Sequence, residues 1–67
     1  MFIRLTNATQ GRLGDPILIN VHTIISVYEQ NVEGSLRTIV YGSTANWEVE
    51  ESFNQVQKKI EEVLNNK

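Results

Sequence analysis

The stretch WEVEESFNQVQKKIEEVL, residues 47–64, decides how this chain is built. It opens with alternation, Trp47 and Val49 against Glu48 and Glu50, the period-two pattern of a half-buried strand. From Ser52 the rhythm becomes helical. Phe53, Val56, Ile60, Val63 and Leu64 follow at spacings of 3, 4, 3 and 1 and gather on one side of a helix with 3.6 residues per turn. Asn54, Lys58, Lys59, Glu61 and Glu62 take the other side. Ser52 and Gln55 form an S-x-x-Q capping box, in which each side chain accepts from a backbone N–H that the first helical turn leaves unpaired. The pattern predicts a strand over 47–51 feeding a helix over 53–65.

Working back from that junction, LRTIVYG (36–42) and IISVYEQ (24–30) read as strands, joined by NVEGS (31–35), a hairpin turn in which Gly34 is free to take positive φ. STAN (43–46) is a second short turn. FIRLT (2–6) alternates and is the first strand, and ILIN (17–20) is a continuously apolar one. Between them NATQGRLGDP (7–16) collects the residues that turn chains, and Pro16, without an N–H, places the start of the next strand at or just after itself. Asn20 can cap a single helical turn over Val21, His22 and Thr23. The order is β-β-β-β-β-α with short links, which favours antiparallel neighbours. The expected architecture is α+β over residues 1–67. A five-stranded, mainly antiparallel sheet (a meander or small open barrel) carries the C-terminal helix on one face.

The totals narrow the options. Sixty-seven residues make one domain near the lower limit for a chain that folds on its own core, and 40% apolar with 21% charged residues is ordinary globular composition. Chains this small commonly need a disulfide, a metal or a partner subunit. There are no cysteines and only one histidine, His22, so no disulfide, metal site or cofactor is expected and self-association remains. A formal net charge of −2 argues against a duplex-DNA binder, whose affinity rests on neutralised phosphates. MFIRLT is too short and too alternating for the apolar stretch of a secretion signal, and no run approaches the ~20 apolar residues of a membrane span. Asn7-Ala8-Thr9 matches a glycosylation sequon that lacks the secretory setting it needs. A cytoplasmic protein without membrane insertion is expected.

Leu5-Thr6, the apolar stretch ending in Asn20, Ile24-Ile25, Glu29, Thr38-Ile39, Val49 with Glu51-Ser52, and Val56 with Ile60 resemble the small FlbD-like flagellar proteins over nearly the whole chain. The chain differs from that pattern in two loops: Asn7–Asp15 is longer than a short Asn-Gly turn, and GSTAN stands where a glycine followed by basic residues is expected. The resemblance implies a short, cytoplasmic, non-enzymatic module associated with motility. Similar small chains also occur in phage and in bacteria outside that setting.

Constellations for catalysis are scarce, and no enzyme is expected. His22 has Ser26, Ser35, Ser43 and Ser52 as the only serines to pair with, and no nucleophile elbow surrounds any of them. Glu48 and Glu50 share a strand face without an apolar pocket beside them to raise a carboxylate pKa, and Glu51 suits the helix N-terminus. GRLG (11–14) has the G-x-x-G form of a backbone clamp but joins two strands instead of two helices, and no phosphate loop is present. A small single-stranded nucleic-acid or nucleotide binder is the alternative reading, with Arg4, Arg12 and Arg37 among Phe2, Tyr28, Tyr41 and Trp47. Eight acidic residues weigh against it.

Interaction with protein is the better-motivated reading. One set of strand residues is expected beneath the helix: Ile3 and Leu5, Ile17 and Ile19, Ile25 and Val27. The opposite set then holds Leu18, Ile24, Tyr28, Ile39 and Tyr41, an apolar and aromatic surface on the side that faces water. Trp47 either plugs the end of the core or anchors an interface. The expected contact residues are Tyr28, Ile39, Tyr41 and Trp47, with Arg37 at the rim. The expected function is a homodimeric, non-catalytic module that docks on a protein partner.

Overall fold

The structure, a computed structural model, describes residues 1–65. Five strands, β1 (Phe2–Thr6), β2 (Pro16–Asn20), β3 (Ile24–Val32), β4 (Ser35–Gly42) and β5 (Asn46–Val49), precede one helix, α1 (Phe53–Asn65). A 3₁₀ turn over Val21–Thr23 joins β2 to β3, with the Asn20 side chain accepting from the His22 N–H at 3.0 Å. Pro16 stands at the first position of β2, where a missing N–H costs least. At the head of α1 the capping box closes in both directions. The Ser52 N–H donates to Gln55 Oε1 at 2.9 Å, and the Gln55 N–H donates to Ser52 Oγ at 3.2 Å.

The chain is α+β, but the expected single five-stranded sheet does not form. There are two antiparallel sheets, β1-β2 and β3-β4-β5. They meet at one corner, where Asn7 bridges Val49, the Ala8 N–H donates to the Glu48 carbonyl at 2.8 Å and the Glu50 N–H donates to the Thr6 carbonyl at 2.9 Å. The Glu51 carboxylate strengthens that corner by accepting from both the N–H and the hydroxyl of Thr6, each at 2.9 Å. Two features keep the ladders apart. β5 is only four residues long and stops at Val49, and the 3₁₀ turn separates β2 from β3 so that they do not pair.

The core lies between the sheets and under the helix. Ile3, Leu5, Ile19, Val21, Val40, Val49 and Val56 are buried, with Ile17, Ile24, Val27, Trp47, Ile60 and Val63 packed around them. α1 packs against β1 and β3. Leu64, expected in the apolar stripe, is half exposed, because it lies about 80° round the helix from Val56. Ile24 and Ile25 exchange their expected roles. Between Ile24 and Ser26 the pairing with β4 slips by one residue, so Ile25 is the extra residue of a bulge. That slip lets Ile24 and Val27, three apart, both face the core and leaves Ile25 69% exposed.

Candidate interaction surface

The register of β3-β4-β5 sorts each residue by face. Val40 is buried and pairs with Val27 and Trp47, and Thr38, also buried, pairs with Glu29 and Val49. These residues share the inner face. Alternation puts the other set outside: Ser26, Tyr28, Gln30 and Val32 on β3, Ser35, Arg37, Ile39 and Tyr41 on β4, and Asn46 and Glu48 on β5. Tyr28 and Ile39 are directly opposite each other, and Tyr41 lies opposite Ser26 on one side and Asn46 on the other. Tyr28 is 41% and Tyr41 42% exposed, and Ile39 between them is half-buried.

Four of the five expected contact residues, Tyr28, Arg37, Ile39 and Tyr41, therefore share one surface. Trp47 is on the other side of the sheet. It packs against the core above Gly42, where a methyl group in place of hydrogen would lie 2.8 Å from Trp47 Cζ3. Its parity with Val49 was the signal for an inward position.

Arg37 is engaged within the chain. Its Nη1 donates to Glu48 Oε2 at 2.6 Å, with both side chains partly exposed. Glu48, which is not among the expected contact residues, thus joins the candidate surface as the partner of Arg37. A shallow cleft lined by Ala8, Gln10, Leu13, Val32, Arg37 and Glu48 continues from this pair toward the Asn7–Asp15 loop, and it adds the exposed apolar side chains of Leu13 and Val32. The turn at Glu33-Gly34 was the signal for Val32, since counting back from it by twos reaches Val32, Gln30 and Tyr28 on one face.

The remaining expected positions are dispersed. Leu18 is exposed on β2 opposite Arg4, away from the three-stranded sheet. Arg4 lines one cleft with Phe2 and Lys59 and another with Pro16 and Leu18, whereas Arg37 lines neither. Arg12 sits in the loop between β1 and β2. His22 is exposed in the 3₁₀ turn. Among the described residues no group of three or more histidines or carboxylates is placed to hold a metal ion, and no helix is long and apolar enough to cross a membrane. No family model, no curated protein and no solved structure matches this chain.

Proposed function

We propose that the chain is a non-catalytic protein-interaction module that self-associates and presents the outer face of β3-β4-β5 to a protein partner. The observation that carries this reading is the side-by-side placement of Tyr28, Ile39 and Tyr41 on a face that no element among the described residues covers. Two partly exposed tyrosines beside an isoleucine offer rigid, amphipathic contact area at low entropic cost, the composition that binding hot spots favour. An interface of ~800 Å² per partner, half of it apolar, supplies ~10 kcal/mol from each partner at ~25 cal/mol per Å² before the cost of association. That is enough to support a small domain with a modest core. Arg4 lines clefts that Arg37 does not, and Arg37 is paired with Glu48, which supports a protein partner over a nucleic-acid strand.

The FlbD-like resemblance supports a cytoplasmic accessory role in motility. A phage-encoded protein that blocks a host enzyme uses the same kind of surface, and the genes next to this one distinguish the two settings. The direct test of the surface is Tyr28→Glu followed by light scattering. The unmodified protein is expected at the mass of two chains and the variant at the mass of one. A variant with unchanged mass, or an unmodified protein that is already a single chain, removes the reading.

A further inference from the structure

The outer face says which side chains are free, and the edge of β3 says how a second copy reaches them. Among the described residues β3 pairs with β4 on one side only, and no strand lies along its other side. The direction of its backbone groups follows from the turn. Val32 and Ser35 close a two-residue turn, Glu33 and Gly34, with φ of 52° and 84°, a hairpin in which the closing pair exchanges N–H and C=O groups. Alternation then directs Gln30, Tyr28 and Ser26 toward β4 as well. It leaves the N–H and C=O of Val27, Glu29 and Asn31 pointing away from the sheet. Residues 28 to 31 are exposed, and α1 reaches this strand at Val27, through Phe53, Gln57 and Ile60.

Most exposed edges carry lysine, proline or an inward charge that blocks pairing. Ile24–Val32 contains neither lysine nor proline, and its one charge, Glu29 on the inner face, is exposed instead of buried beneath the helix. Its one interruption, the bulge at Ile25, lies at one end and the Glu33-Gly34 turn at the other. The stretch between the bulge and the residue that closes the turn, 26–31, is the length of edge available to another strand.

We infer that β3 pairs antiparallel with β3 of a second copy, about a two-fold axis through Tyr28. This rests on the self-association proposed above and names its geometry. The parity of the backbone groups permits only registers in which odd-numbered residues meet odd-numbered residues. Centring on Glu29 places two carboxylates directly opposite, which is destabilising. Centring on Val27 or Gln30 shortens the paired stretch, because it runs into the bulge or the turn. Centring on Tyr28 sets Val27 against Glu29 of the second copy and Glu29 against its Val27, two pairs that exchange about four backbone hydrogen bonds across the axis. The two Tyr28 rings then meet as a cross-strand pair on the outer face, flanked by Ile39 from each copy. The product is one six-stranded antiparallel sheet whose outer wall carries both copies' Tyr28, Ile39 and Tyr41 as a continuous surface.

The chain has no cysteine, so an introduced thiol is unique. Across the axis Tyr28 occupies a non-hydrogen-bonded pair with Cα atoms about 4.5 Å apart, within disulfide range, whereas Glu29 and its own copy are about 8 Å apart. Tyr28→Cys is expected to form a covalent dimer under mild oxidation and Glu29→Cys to remain monomeric on a non-reducing gel. Glu29→Pro removes an N–H that the β4 ladder does not use. It is expected to reduce the light-scattering mass twofold with an unchanged circular dichroism spectrum. If Glu29→Pro does not fold, the cysteine pair decides alone. An unmodified protein that is dimeric, while Tyr28→Cys fails to cross-link or Glu29→Cys links equally well, overturns the edge pairing and leaves self-association standing. An unmodified protein at the mass of one chain overturns both.

Discussion

The two faces of β4 differ more than any two separate regions of this protein. On one side Thr38, Val40 and Gly42 are buried; on the other Arg37, Ile39 and Tyr41 reach solvent, although the residues alternate along a single strand. The inner set is closed by Trp47, Val49 and, beyond them, the helix. The outer set is flanked by Tyr28 and Gln30 of β3 and by Asn46 and Glu48 of β5, with the Arg37–Glu48 pair across it. Burial and exposure thus fall on opposite parities of residues 37–42, and the recognition role proposed above belongs to the exposed one. A substitution's consequence depends on which parity it falls on more than on how apolar the residue is.

That division can be attacked at its strongest point first. Leu5→Ala empties the centre of the core, where Leu5 is fully buried, and is expected to cost about 2–5 kcal/mol by urea denaturation. A smaller loss would mean that the inner side is less closely packed than the geometry shows. Gly42→Ala tests the same side by overpacking. Its new methyl group meets the Trp47 ring at 2.8 Å, so a loss of about 1–3 kcal/mol with a change in tryptophan emission is expected. Unchanged emission would show that the ring does not rest on Gly42.

Ser52→Ala removes one arm of the capping box and should cost ~1 kcal/mol, read from the thermal midpoint. Arg37→Ala, on the outer side, breaks only a partly exposed ion pair and should change monomer stability by less than about 0.5 kcal/mol. A large loss there would erase the contrast between the faces.

Much of this was legible in the sequence, for physical reasons that also mark where legibility ended. The helix could be read because its stripe and its capping box are local, and Ser52 and Gln55 meet as their spacing requires. The strands could be placed because Pro16, Asn20 and Gly34 punctuate the chain between them. Faces were harder. Alternation assigns a side only while the register holds, and the bulge at Ile25 exchanges the sides of Ile24 and Ile25 without any glycine or proline to announce it. The division into two sheets depends on how far β1 and β5 run alongside each other, a contact between residues some forty positions apart that no local pattern encodes. Trp47 was ambiguous because a tryptophan suits both a core and an interface; the small Gly42, diagonal to it on the inner face, settles it by making room for the ring.

A dilution series followed by backbone amide chemical shifts addresses the contrast most directly. If the outer parity of the sheet is the contact surface, the signals of Tyr28, Ile39 and Tyr41 move together as the protein is diluted, while those of Leu5, Ile19 and Val56 stay fixed. Shifts that are independent of concentration at all six positions, or that move in the core instead, would contradict the assignment of recognition to the outer wall.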